Sequence, residues 1–282
     1  MQHEQGALGR RGASKAPSLY FYSTFPAPPV RAVVGVLHGY ADYGPRYAHV
    51  MDAWADSGIA SIAVDLRGHG RAKGERGFCH RFEEYIDDAS ELRRLLVERA
   101  PGVPMFLFGH SFGGLVATSY TLADPWSWRG LVLSSPYFLS AVKVPPLKLA
   151  AGKVASRVLP WLSLPSGLQG ADVTRDLVRA RAYDHDPLVF QKANVRWFTE
   201  TEAAQARALE RAAQLKTPLC IVAAGTKDRL ADVAGTRAFF AVAASADKTL
   251  DVRDGAFHEV LSDPDWRGAA DLFAAWLLAR SA

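Results

Sequence analysis

The sequence predicts an α/β fold: a mostly parallel central sheet flanked by helices and interrupted once by an inserted helical cap. Three observations support this. Short, continuously apolar runs rich in β-branched residues alternate with helix-period stretches, as expected of strands buried on both faces. The 282 residues suffice for one large core. The alternation stops between Tyr137 and Glu202, in a Pro- and Leu-rich segment too long to be a simple connection.

Taken in order, residues 1–16 carry no sustained apolar run and are expected to form a mobile tail. Residues 17–25, PSLYFYSTF, are expected to add an edge strand or hairpin. Strands are then expected at RAVVGVL (31–37), IASIAV (59–64), MFLF (105–108), LVLS (131–134), LCIVA (219–223) and TLDVR (249–253). Between them, EEYIDDASELRRLLVERA reads as a helix ended by Pro101-Gly102. The core therefore divides into 17–136 and 203–282, with the cap at 137–202.

Composition narrows the function classes. Cys79 and Cys220 form no framework or paired metal-ligand spacing, so both read as free thiols of a reducing compartment. No secretory pattern opens the chain and no 18-residue apolar stretch occurs, so a cytoplasmic protein is expected. A net charge of +4 is too modest to point to nucleic acid.

Gly109-His110-Ser111-Phe112-Gly113 matches G-x-S-x-G, a weak pattern alone. Its context strengthens it: MFLF leads in as a strand and GGLVATSYTL leads out as a helix, the setting of a nucleophile elbow. Ser111 is expected in a strained conformation, with glycines letting strand and helix pass closely. A serine nucleophile needs a base, and the base needs an orienting acid, here in the order Ser, acid, His. His258 follows both an acid and the final strand. Asp228 lies nearest its strand end, with Asp232 and Asp254 close by in sequence.

The oxyanion needs two N–H donors. Phe112 supplies one, and Tyr40, in the loop after VVGVL, the other. The donors are backbone groups, so the Tyr40 side chain is expected not to matter, and His38 is expected to brace the loop. Asp65 and His69 make a poor metal-ligand set, and neither metal nor organic cofactor is expected.

LHGYADYGPRYAHV, VDLRGHGRAKGERG, GHSFGGLVA, LVLSSP, YDHDPLV, GTKDRLAD and DGAFHEVL occur in that order from about residue 18 onward. Together they resemble the monoacylglycerol lipase and lysophospholipase group of α/β-hydrolases. The resemblance implies the α/β-hydrolase fold and a serine ester hydrolase with triad Ser111, Asp228 and His258. It also implies a cap that shapes an acyl pocket, and a small lipid ester as substrate. Phe112 stands where that group often has Met, Ala72 where Ser is common, and Ala231 where some members carry a reactive Cys.

Monoacylglycerol is the expected substrate, with lysophospholipids or short-chain esters as alternatives. A non-catalytic binding protein of the same fold is disfavoured because all three triad positions are filled. The cap adds one further expectation. From Tyr137 to Gly170 it carries Lys143, Lys148, Lys153 and Arg157 and no acidic residue. PLKLAAGKVASRVLPWL reads as an amphipathic helix with Leu147, Ala151, Val154 and Val158 on one face. That face is expected either to line the acyl tunnel while the basic flank contacts a membrane or lipid aggregate, or to pack on the core as an ordinary cap helix with its lysines solvated. Leu139, Val144, Leu159, Trp161 and Leu164 are the candidate pocket-lining residues.

Overall fold

The computed structural model describes residues 1–9 and 16–281. In chain order the strands are β1 (Gln2–Leu8), β2 (Leu19–Phe25), β3 (Ala32–Leu37), β4 (Ile59–Asp65), β5 (Met105–His110), β6 (Gly130–Ser134), β7 (Ser163–Pro165), β8 (Lys192–Asn194), β9 (Leu219–Ala224) and β10 (Lys248–Arg253). The helices are α1 (Ala48–Ala55), α2 (Glu83–Arg99), α3 (Phe112–Ala123), α4 (Pro146–Val158), α5 (Gly170–Val173), α6 (Leu177–His185), α7 (Val195–Glu210), α8 (Val233–Val242) and α9 (Trp266–Leu278).

Eight strands form one sheet in the order β1-β2-β4-β3-β5-β6-β9-β10. From β4 to β10 the neighbours are parallel, and β1 and β2 are antiparallel. The apolar runs are continuous because both faces are covered. On β3, Val33 and Leu37 face a core shared with α2, α3 and α7, while Val34 and Val36 face one shared with α1 and α9. The strand order reverses around β3 and β5, where a doubly wound sheet opens a crevice at its carboxyl edge.

Three expectations change here. Residues 2–8, expected in a mobile tail, pair with β2 from Gln2↔Phe25 to Leu8↔Leu19. The strand shows no apolar alternation because only its last residue is buried. Ladder hydrogen bonds and a Glu4–Arg99 ion pair hold it instead. Residues 10–15 of the expected tail lie outside the described residues. The cap boundary expected at 202 falls inside α7, which packs on both α4 and α3 and so belongs to cap and core together. The cap also contains a short antiparallel ladder, β7 with β8, that three-residue strands could not announce by periodicity.

Candidate active site

Ser111 sits between β5 and α3 with φ 51° and ψ −119°, a left-handed conformation uncommon for a residue with a Cβ. The turn is possible because Gly109 and Gly113, two residues to either side, lack side chains. A Cβ on Gly109 would lie 2.4 Å from the Gly113 carbonyl oxygen, and one on Gly113 would lie 2.3 Å from that of Leu37. The Ser111 N–H donates to the Ser134 carbonyl at 2.9 Å, which leaves the Phe112 N–H as the donor at the start of α3.

His258 follows β10, and its Nε2 lies 2.7 Å from Ser111 Oγ. Its Nδ1 lies 2.8 Å from Asp228 Oδ2. Asp228 Oδ1 accepts the N–H groups of Leu230 and Ala231, each at 2.9 Å. Asp232 instead caps α8, accepting the Ala234 N–H. The carboxylate partner thus places the His258 proton on Nδ1 and leaves Nε2 as the acceptor toward serine.

The electrostatics agree with this arrangement. Burial alone would raise the Asp228 pKa, but His258 and the two backbone donors hold it below the usual carboxylate range. Burial alone would lower that of His258, but the Asp228 charge and hydrogen bond, helped by Glu259 and Asp42, hold it above the ordinary imidazole value. His110, ring to ring with His258 at 5.0 Å, is pushed down to about 3, chiefly by burial and then by His258. It is a neutral wall of the site.

The loop after β3 brings Tyr40 beside Ser111. Neither the Tyr40 N–H nor the Phe112 N–H is taken up by another group among the described residues. His38 braces the loop as expected: its Nε2 accepts the Leu66 N–H at 2.9 Å, and its Nδ1 donates to the Gly39 carbonyl at 2.7 Å. Asp65 is occupied by the Gly44 and Arg71 N–H groups and the Tyr22 hydroxyl. The Tyr40 side chain, expected to be immaterial, is an anchor. Its ring stacks on Trp197 with centroids 3.6 Å apart, and its hydroxyl bonds both Gly77 and Asn194.

Ser111 opens onto a cavity of about 370 Å³ between cap and core. Its apolar wall includes Val142, Val144, Leu164, Leu168, Phe198 and Leu230, and polar groups gather near Ser111. Of the five candidate lining residues, Val144 and Leu164 are in the wall, while Leu139, Leu159 and Trp161 are not. Leu139 packs against Gly235 of α8, and Leu159 and Trp161 project outward at 46% and 59% exposure.

The face assigned to α4 is also reversed. Leu147, Val154 and Val158 are 83%, 62% and 67% exposed, so the apolar stripe points away from the cavity. Lys148 and Gly152 face inward. The physical reason is the small inner face: Ser156 bonds Thr199 of α7 at 2.7 Å, and small residues let α4 lie close to α7.

One group of site residues was not singled out from the sequence. Asp42, Arg46 and Glu259 form a buried charge cluster against the histidine loop, with Arg46 bonded to both carboxylates. Asp42 and Glu259 line the cavity. Their spacing along the chain is 217 residues, and only the fold brings them together.

Comparison with known proteins agrees with this fold. Residues 28–265 match the Hydrolase_4 family, described as serine aminopeptidase, S33. A monoacylglycerol lipase of Mycolicibacterium smegmatis is 33% identical over 88% of both chains. The phospholipase YtpA of Bacillus subtilis is 32% identical over 83% of this chain and 90% of its own. The crystal structure of a Paleococcus ferrophilus monoacylglycerol lipase superposes with a TM-score of 0.84 at 30% identity, covering 93% of this chain and 99% of that one. The protein is an α/β-hydrolase and belongs to the Hydrolase_4 family, described as serine aminopeptidase, S33, and proteins named monoacylglycerol lipase are among those it is similar to.

Proposed function

We propose that the protein hydrolyses carboxylic esters of single-chain lipids, monoacylglycerols foremost, through an acyl-enzyme on Ser111. The observation that carries this reading is the hydrogen-bonded chain Ser111–His258–Asp228 at the floor of a largely apolar cavity. Ser111 Oγ attacks the ester carbonyl while His258 Nε2 takes its proton, and Asp228 stabilises the imidazolium. The Tyr40 and Phe112 N–H groups receive the developing oxyanion. Collapse expels the alcohol, which takes the proton from His258. Water, deprotonated by His258, then releases the fatty acid.

The polar end of the cavity favours an uncharged head group. Asp42 and Glu259 line it with one bridging guanidinium, so this cluster is net negative and disfavours a phosphate beside Ser111. A lysophospholipase reading is favoured by likeness to the Bacillus subtilis phospholipase and by Lys148 in the cavity wall. The assay that decides is fatty-acid release across monoacylglycerols, lysophospholipids and p-nitrophenyl esters of graded chain length. Fastest turnover of long-chain monoacylglycerols supports the proposal, and a preference for short esters with no gain at long chains contradicts it.

The cap extends the reading to a lipid surface. The outward stripe of Leu147, Val154 and Val158 is flanked by Lys143, Lys153 and Arg157, a composition that suits the interface of an anionic bilayer or micelle. Among the described residues no helix is long and apolar enough to cross a membrane, and the contact is peripheral. Cys79 and Cys220, both buried free thiols, suit a reducing cytoplasm.

A further inference from the structure

The loop that presents the Tyr40 N–H and the loop that presents His258 come from opposite ends of the sequence. Both must be held to a fraction of an ångström for one serine to be served by base and oxyanion hole together. The oxyanion loop is not self-supporting. Ala41 has φ 57°, a left-handed conformation that persists only where surroundings hold it. Gly39 lies so close to the site that a Cβ there would meet His110 at 3.3 Å and Ser111 at 3.5 Å.

The groups that hold this loop converge on Asp42. Its Oδ1 accepts the Tyr43 N–H at 2.8 Å and Arg46 Nη1 at 3.0 Å. Its Oδ2 accepts the Tyr47 hydroxyl at 2.7 Å and, more weakly, the Gly39 N–H at 3.3 Å. Arg46 continues across to Glu259, the residue after His258, with Nη1 to Oε1 at 2.9 Å and Nη2 to Oε2 at 2.7 Å. The Glu259 N–H donates in turn to the Val173 carbonyl of the cap at 2.9 Å. The Arg46 guanidinium also lies 4.9 Å from the Tyr183 ring of α6.

We propose that Arg46 is a positioning residue whose paired bonds to Asp42 and Glu259 lock the oxyanion loop to the histidine loop. The side chains of Arg46, Asp42 and Glu259 are 14%, 5% and 9% exposed. An apolar cluster could fill such a volume without desolvating three charges. A planar fork, by contrast, fixes the direction as well as the distance between two carboxylates. This inference rests on Ser111 acting as nucleophile with the Tyr40 N–H as an oxyanion donor.

The test uses Arg46→Lys, which keeps the charge but loses the fork, and Glu259→Gln, which keeps the shape but loses the charge pair. Each is assayed for kcat and KM on p-nitrophenyl butyrate and for affinity toward a trifluoromethyl ketone, whose hemiketal oxyanion mimics the tetrahedral intermediate. Arg46→Lys is expected to lower kcat by up to about 100-fold, the scale of an ångström of misplacement, with KM nearly unchanged. Ketone affinity is expected to fall in parallel. Glu259→Gln is expected to change the same quantities in the same direction by about 10-fold, and it carries the test alone if Arg46→Lys does not fold.

A lowered melting temperature with kcat and ketone affinity within about twofold of wild type would overturn the proposal. Failure of the wild-type protein to bind the ketone covalently at Ser111 would strike at the nucleophile assignment instead.

Discussion

Tyr40 and Asn194 meet across the seam between core and cap. The Asn194 N–H donates to the Tyr40 hydroxyl at 3.2 Å, and that hydroxyl donates to the Gly77 carbonyl at 3.2 Å. The loop that carries the proposed oxyanion donor, the Tyr40 N–H, is therefore pinned by its own side chain to the start of α7. Tyr40→Phe keeps the stacking on Trp197 but leaves a donor and an acceptor unpaired, costing about 1–3 kcal/mol of stability. Tyr40→Ala also loses the ring, with a loss of about 3–5 kcal/mol. Urea unfolding of both variants checks the order, and kcat is expected to fall more in Tyr40→Ala.

Gly113→Ala is predicted to destabilise the fold rather than merely slow the reaction. The added methyl would meet the carbonyl oxygens of Leu37 and His38, both backbone atoms. Since strand and helix cannot part without disturbing the elbow, the loss is expected at about 3 kcal/mol or more. Thermal unfolding gives the answer directly, and a melting temperature equal to wild type would refute the steric argument.

Activity and stability are predicted to favour different pH ranges. The pKa of Asp228 is held below 3.8, so its contribution to stability is present above 3.8 and lost as pH falls through the lower folded value. That of His258 is held above 6.5, so its contribution is complete below 6.5 and lost as pH rises through the higher folded value. The pair therefore stabilises the fold most between these two reference values. The reaction instead needs neutral His258, so the acid limb of kcat/KM should titrate above 6.5. Asp228→Asn should move that limb down and lower kcat by about 10⁴-fold.

Much of this was legible in the sequence, for reasons that differ by residue. Ser111 lies within a local pattern whose glycines, strand and helix all have to be present together. Asp228 was reachable because it follows a strand whose apolar run is continuous, and His258 because it follows the last strand, TLDVR, after an acid in chain order. Asp42, Arg46 and Glu259 were not, because a charge cluster spanning both halves of the core has no local signature. The orientation of α4 was misread because its moment is genuine but its inner face packs through Ser156 and small residues. Amphipathicity says that two faces differ, and only packing says which faces the protein. The β1 strand was hidden because an edge held by ladder bonds needs no apolar alternation.

That outward face yields a prediction separable from catalysis. Leu147→Glu combined with Val154→Glu alters residues that are 83% and 62% exposed and outside the cavity wall. Turnover of p-nitrophenyl butyrate should remain at the wild-type level. Sedimentation with anionic vesicles should weaken by at least about 10-fold, since each side chain forfeits one to two kcal/mol of partial burial, about that much being available per residue. Equal vesicle binding by both proteins would remove the lipid-surface reading of α4.

The most direct test of the central claim is intact-mass and peptide mapping after treatment with a fluorophosphonate. The geometry of Ser111, His258 and Asp228 predicts a single adduct, located on Ser111, with activity lost in proportion to labelling. It also predicts no adduct in Ser111→Ala. An unlabelled wild-type protein, an adduct on another residue, or Ser111→Ala with undiminished ester hydrolysis would contradict it.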